Sequence, residues 1–266
     1  MMKDKAVDHR FSVNTFHSAY DFNWDAQYAF SGETHDFWEL VYVAFGTVVI
    51  TEDARVYSLN QGEMILHRPM EFHNIRSANA TTPHVQLMTF SANGILPDKL
   101  GGGVFSLTES ECRECERLFD KVLSFFDDHE TDEFTGMECA LDLTPFWITV
   151  CRGHDGKRQL VESGSAREYR RLVKAMTTHV NDNFTLEQFA KECAVSVSYM
   201  KVLFSRYAGI SPKAYYARLR CSEAIRLLQE GHTAAQVSDH MGFSSPSYFS
   251  AFFKRMTGTP PSQYHQ

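Results

Sequence analysis

Cys112-x2-Cys115 has the spacing of a redox-active thiol pair, a chemistry favoured at a helix N-terminus, where a thiolate is stabilised. The same spacing is half of a zinc site, but the other half needs a second close pair, and Cys139 and Cys151 lie 12 residues apart. The competing reading is two thiols near the start of an amphipathic helix, and the six scattered cysteines suit a reducing compartment. No Ser/His/Asp spacing, phosphate-binding glycine loop or paired-carboxylate motif is apparent. The charge distribution is more informative. Residues 166–266 hold 13 Lys+Arg against 7 Asp+Glu, a balance of +6. Residues 1–165 hold 13 against 26, a balance of −13, and the two make up the formal −7. A basic C-terminal part on an acidic body points to a localised polyanion site, because phosphate contacts need local positive charge. The alternative is a chance bias of solvated faces.

The elements that would hold this charge are written twice in the C-terminal third. In the tail, Ser245 and Pro246 stand where an N-cap and a first helical residue belong. Phe249, Phe252, Phe253 and Met256 recur at spacings of three and four, an apolar stripe that reads as core. Gly258 with Pro260 and Pro261 stops the helix. Upstream, Thr233 with Gln236 spells a capping box, and Gly242 marks a tight turn. An earlier copy opens at Thr185, turns through Val195 and starts its second helix at Ser196. Ala190 matches Ser238 at an offset of 48, whereas Met200, Phe204, Gly209 and Pro212 match Phe249, Phe253, Gly258 and Pro261 at 49. The slip falls at the turn, where Ser244-Ser245 replaces Ser196. Ser211-Pro212 opens a connecting helix through Leu228, and a further helix is expected over Arg167–Asn181. Two helices joined by a tight turn can seat one of them in a DNA major groove, and two such units can serve successive grooves.

The acidic body has a different grammar. Short apolar or alternating runs at Phe37–Phe45, Thr47–Thr51, Arg55–Leu59, Met64–His67 and His84–Phe90 are separated by polar and Gly turns. That pattern predicts a small sandwich or barrel over residues 1–100. The run from Glu39 to Phe45 is apolar nearly throughout, as in a strand buried on both faces. Gly101–Gly103 reads as a flexible break, and Thr108 with Glu111 as a capping box. Cys115, Leu118, Phe119, Val122 and Phe126 make the apolar face of the helix it opens, and a second apolar helix is expected over Glu133–Val150, with Pro145 a point where it could break. Residues 101–151 thus form a helical segment suited to dimerisation or to packing on its own subunit. Residues 152–166 read as a linker, and 167–266 as the tandem helix-turn-helix domain. The fold class is α+β: a β-barrel with helices, then an all-α domain.

Two segments of the body resemble the cupin β-barrel. His35-x3-Glu39-x6-Gly46 follows the second half of the first cupin motif, and Gly62, Pro69 and His73 loosely follow the second. In metal-binding cupins two histidines and a glutamate of the first motif meet a histidine of the second on one ion. Here Glu33 stands where the first histidine would be, and the Pro-to-His spacing is one residue short. The resemblance therefore implies His35, Glu39 and His73 as ligands of a possible divalent metal with open positions. The alternatives are a polar effector pocket and hydrogen-bonded core histidines. Trp38, Tyr42, Phe37, Arg68 and Arg76 are candidates to line such a pocket with His35, Glu39 and His73.

Over residues 167–266 the chain resembles the AraC/XylS-type transcription regulators. The most specific marks are Gly242-Phe243, Ser247-Tyr248-Phe249, Phe253-Lys254, Gly258 and Pro261. The resemblance implies a cupin-like effector domain followed by a dimerisation helix, which is the order found here. It implies a sequence-specific, effector-modulated regulator, commonly an activator, with a sugar or other metabolite as effector. Carried over by residue, base-facing positions are Ser198, Lys201 and Val202 in one helix and Pro246, Ser247, Ser250 and Ala251 in the other. Arg206, Lys254 and Arg255 fall on phosphates. Apart from Lys201 the base-facing side chains are short, so DNA shape should matter more than a dense direct code. Implied partners are double-stranded DNA, a small-molecule effector, a second copy of the chain and, for an activator, RNA polymerase.

The rival from another class is a metal-dependent cupin enzyme fused to a DNA-binding domain. The N-terminus lacks an apolar signal core, and no run of 18 apolar residues occurs, so a cytoplasmic protein without membrane contact is expected.

Overall fold

The structure is a computed structural model and describes residues 11–94, 103–127, 134–154, 161 and 163–264. The expected break at Gly101–Gly102, the first residue of the helix expected from Glu133, and residues 155–160 and 162 of the expected linker lie outside them. The chain forms two compact units, residues 1–52 with 56–161 and residues 53–55 with 162–266.

The N-terminal unit is an antiparallel sandwich. One sheet has the order β1-β7-β2-β5-β8, from Phe11–Asn23, His84–Gly94, Trp38–Phe45, Glu63–His67 and Val104–Ser106. The other has the order β4-β3-β6, from Arg55–Asn60, Thr47–Glu52 and His73–Ser77. The cupin-like barrel is thus a flattened pair of sheets, and it runs past residue 100 because β8 pairs with β5. Val41, Val43, Ile65 and Val85 meet Val48, Ile50, Tyr57 and Ile75 between the sheets. Leu40, Tyr42, Met64, Met88 and Phe90 face the opposite way, onto two helices. β2 is therefore buried on both faces, as its unbroken apolar run predicts.

Those helices are α1, Glu109–Phe126, and α2, Thr135–Gly153. Thr108 and Glu111 form the expected capping box. Pro145 does not interrupt α2: burial of Leu143, Phe146, Trp147 and Val150 outweighs the one backbone hydrogen bond the proline removes. Lys121 bridges to Glu138 at 3.0 Å and Asp142 at 2.8 Å, a largely exposed tie that fixes register more than stability.

Three strands escape the sequence pattern: β1, β6 and β8. In β1 the pairing with β7 slips between Val13 and Thr15 and again between Phe16 and Ser18. Each irregularity resets the period-two alternation, so the strand does not read as one.

The C-terminal unit is all helical. α3 (Gly164–Thr178), α4 (Leu186–Glu192) and α5 (Val197–Tyr207) lead to the long α6 (Pro212–Gln229), then α7 (Ala234–His240) and α8 (Pro246–Thr257). Capping boxes at Thr185/Gln188 and Thr233/Gln236 open α4 and α7. Gly258 ends α8 in the left-handed conformation at φ 81°, where a side chain would strain the backbone. α6 supplies Cys221, Ala224, Leu227 and Leu228 to the core that holds Phe249, Phe252 and Phe253. The phenylalanine stripe of the tail is core, as its spacing predicts.

Candidate functional site

In the C-terminal unit the two helix-turn-helix copies share their turn geometry. α4 ends with Val195 N–H donating to Ala190 O at 2.9 Å and Ala194 N–H to Lys191 O at 3.1 Å. α7 ends with Phe243 N–H donating to Ser238 O at 2.9 Å and Gly242 N–H to Asp239 O at 3.1 Å. Both are Schellman closures, and both need a left-handed residue: Ala194 at φ 51° and Gly242 at φ 65°. The next helix is capped identically, Ser196 accepting from Tyr199 N–H and Ser245 from Tyr248 N–H, each at 3.1 Å.

Those caps set which face of α5 and α8 is buried. Met200, Leu203, Phe204 and Tyr207 of α5 pack inward, so Ser198, Lys201, Val202 and Arg206 form an exposed stripe at helical period. Phe249, Phe252 and Phe253 do the same for α8, leaving Pro246, Ser247, Ala251, Lys254 and Arg255 exposed and Ser250 half-buried. Each stripe ends in basic residues in the last turn, where the helix dipole favours cations. Tyr199 and Tyr248 match at the offset of 49 and are exposed beside these stripes. In the sequence Tyr248 is named only as a mark of the resemblance, and neither tyrosine is assigned a role. Tyr199 O–H donates to Glu168 at 2.6 Å, whereas the Tyr248 ring leans on Phe243 at 6.1 Å.

A buried arginine ties the two copies together. Arg220 of α6 stacks over Phe243 at 4.3 Å and donates to Met241 O, at the end of α7. Its other amino group donates to Asn183 Oδ1 at 3.3 Å, just before α4. Burial pulls its pKa down, but a guanidinium stays charged at any ordinary pH.

A family model for the AraC-like ligand binding domain matches residues 18–111, and one for a helix-turn-helix domain matches residues 189–266. The chain belongs to the AraC type of transcription regulators. Among similar proteins, the activator RhaR of Escherichia coli (strain K12) is 22% identical over 90% of this chain and 88% of its own length. The uncharacterized regulator YobQ of Bacillus subtilis is 29% identical over 49% of this chain, which spans 58% of YobQ. The solved structure of ToxT from Vibrio cholerae O395 aligns over 97% of each chain at 17% identity and a TM-score of 0.38.

In this AraC-type chain the ligand-binding region contains a buried polar cluster at one end of the sandwich. Glu39 of β2 lies opposite His67 of β5 in one sheet, and Glu52 of β3 lies opposite His73 of β6 in the other. All four continue the face that carries Val41, Ile65, Ile50 and Ile75, so they project between the sheets. Glu39 Oε2 is 3.5 Å from His35 Nε2, and Glu39 Oε1 is 3.3 Å from His73 Nε2. Burial opposes ionisation of Glu39, but the two facing imidazoles outweigh it and hold its pKa well below the usual carboxylate range. Burial likewise disfavours charge on His73, yet contact with Glu39 raises its pKa on balance. For His67 burial prevails and lowers it, despite Glu52 at 3.3 Å.

The pocket expected in sequence divides at β2. His35, Glu39 and His73 come together, whereas Trp38 and Tyr42 alternate to the opposite face. Trp38 packs edge-on to Phe11 at 6.2 Å, and Tyr42 stacks on Phe119 of α1 and donates to Glu116 at 3.1 Å. Neither lines the cluster, because the pleat sends neighbouring side chains to opposite sides. Phe37 does reach it, stacking on His35 at 4.0 Å. Arg68 is half-buried in the β5–β6 turn, and Arg76 sits on the outer face of β6.

All six cysteines are free thiols. Burial pushes the Cys115 thiol well above its ordinary pKa, and Cys112 donates weakly to Leu107 O at 3.9 Å.

Proposed function

We propose that the chain is a cytoplasmic, sequence-specific activator that presents α5 and α8 to successive major grooves and answers to a small effector held in its sandwich. The observation that carries the DNA half is the pair of exposed stripes, built by duplicated turns and caps on two amphipathic helices. Ser198, Lys201, Val202, Pro246, Ser247, Ser250 and Ala251 face bases; Arg206, Lys254 and Arg255 face phosphates. Residues 101–151 supply the dimer surface. Met137, Leu141 and Ile148 support this reading, since they repeat along the exposed side of α2, with Met137 62% and Leu141 63% accessible. A homodimer would engage two copies of the operator half-site, and an activator would touch RNA polymerase. Among the described residues no helix is long and apolar enough to cross a membrane. No catalytic role is assigned.

Binding measurements across operator variants and salt concentrations test the stripe. Lys254→Ala should weaken binding to all sequences alike and reduce the slope of log affinity against log salt by about 1. Lys201→Ala and Ser247→Ala should instead change which sequence is preferred. Equal, sequence-independent losses from all three would overturn the assignment.

A further inference from the structure

The end of the sandwich occupied by Glu39 has a feature that an ordinary buried ion pair lacks. His35 Nδ1 lies 2.9 Å from Phe37 O, and His73 Nδ1 lies 3.1 Å from Glu71 O. A carbonyl oxygen only accepts, so each Nδ1 carries a proton and each ring turns its other nitrogen, Nε2, toward Glu39. Both Nε2 atoms are buried and lack a hydrogen-bond partner among the described residues. The side chains are nearly sealed, with His35 9%, Glu39 6% and His73 4% exposed. Two ring nitrogens that converge on one buried carboxylate leave a place for a cation between them.

The distances say what fits. Charge-assisted hydrogen bonds close to about 2.7–2.9 Å. The His–Glu separations here are 3.5 and 3.3 Å. Donor atoms held at about 2.0–2.2 Å from a common ion stand roughly 3–4 Å from one another, which is the range found. Glu33 adds a fourth donor, and one atom each from Glu33, His35, Glu39 and His73 lie within 4.8 Å of one another. Glu33 is brought there by backbone: its N–H donates to His73 O at 3.0 Å, and His73 N–H donates to Glu33 O at 3.1 Å. Gly32, at φ 88°, makes the approach possible, because a Cβ there would stand 2.6 Å from His73 O. Met70 N–H donates to His35 O at 2.7 Å and clamps the other strap. The His67 ring, stacked on His73 at 4.2 Å, further fixes that imidazole.

We propose that Glu33, His35, Glu39 and His73 bind one divalent transition-metal ion, with coordination positions left open for an exogenous ligand. Two imidazoles and two carboxylates suit ions such as Fe2+, Zn2+, Mn2+ or Ni2+, rather than thiolate-seeking Cu+ or Ca2+, which takes an all-oxygen shell. The inference rests on the sandwich side chains alone and stands or falls independently of DNA recognition.

The test is Co2+ titration of the chelator-stripped full chain, read by visible d–d absorption and by metal content after gel filtration. Wild type should take up one ion per chain in competition with Zn2+. His73→Ala and Glu39→Gln should each weaken uptake at least about tenfold, and Glu33→Gln less. His84→Ala, which loses only its pairing with Asp21 at 2.5 Å, should leave uptake unchanged. Absence of stoichiometric uptake, or uptake indifferent to His73 and Glu39, overturns the site. Should those variants fail to fold by circular dichroism, histidine side-chain nitrogen spectra of wild type decide: Zn2+ must shift the Nε2 signals of His35 and His73. Unmoved Nε2 signals overturn it equally.

Discussion

The two helix-turn-helix turns form a natural pair for a reciprocal experiment. Ala194 and Gly242 occupy the same position of the same Schellman closure, at φ 51° and 65°. A non-glycine residue in the left-handed region costs about 1–2 kcal/mol. Against this, alanine leaves the unfolded chain less conformational freedom than glycine, which favours folding by about 0.4–1 kcal/mol. The difference gives Gly242→Ala a destabilisation of about 1 kcal/mol. An added Cβ at Gly242 would reach only ordinary contact, 3.4 Å from Asn181 O, so no clash enlarges that figure. Ala194→Gly should stabilise by a similar amount. For a unit of roughly 100 residues, 1 kcal/mol moves the melting point by about 4–8 °C. The assay is urea and thermal unfolding followed by far-ultraviolet circular dichroism. Tryptophan emission serves as an internal control, because Trp24, Trp38 and Trp147 all lie in the N-terminal unit. The circular-dichroism transition should move in opposite directions for the two variants while the tryptophan transition stays. A neutral Gly242→Ala, or two shifts of the same sign, would refute the strain argument.

Arg220→Met should destabilise the C-terminal unit by about 2 kcal/mol in urea unfolding, because Met241 O and Asn183 Oδ1 lose a buried donor. Arg220→Lys should recover little of it, since an ammonium cannot serve both acceptors and stack on Phe243; full recovery would count against the bridging role. Tyr42→Phe should cost about 0.5–1.5 kcal/mol for the lost hydrogen bond to Glu116 and leave ligand or metal uptake in the sandwich unchanged. A Tyr42→Phe protein with altered uptake, read by calorimetric titration, would place that side chain back on the pocket.

What the sequence determined by itself is local. Thr108, Thr185, Ser196, Ser211, Thr233 and Ser245 are N-caps in the structure, because a cap involves only a hydroxyl and a backbone N–H two or three residues ahead. The core faces of α5 and α8 follow from a 3.6-residue period, as does that of α1 except for Phe126, which lies in the last turn and is 42% exposed, and the duplication of the helix-turn-helix shows as an offset of 48 or 49 in the letters alone. Those features made two helix-turn-helix units legible, and the resemblance of residues 167–266 to AraC/XylS-type regulators implied the rest. Even so, Ala194 gave no sign of its left-handed backbone, since alanine is not a residue that marks one.

The candidate site in the sandwich was only half legible. His35, Glu39 and His73 could be named, but Glu33, standing where the first cupin histidine would be, was read as a departure from the motif and not as a ligand, and Trp38 and Tyr42 were grouped with the wrong face. A strand's pleat fixes that neighbours alternate, yet not which set points inward; that is settled by which strand lies across the gap. Tertiary structure set Glu39 opposite His67 and Glu52 opposite His73, in two sheets whose facing sides then brought the imidazoles to the carboxylates. It likewise laid Gly32 against β6, so that Glu33 joined the cluster through pairing with a residue 40 positions away. Caps and stripes are short-range physics and can be read along the chain, whereas a cluster assembled from two sheets exists only once the sheets have packed.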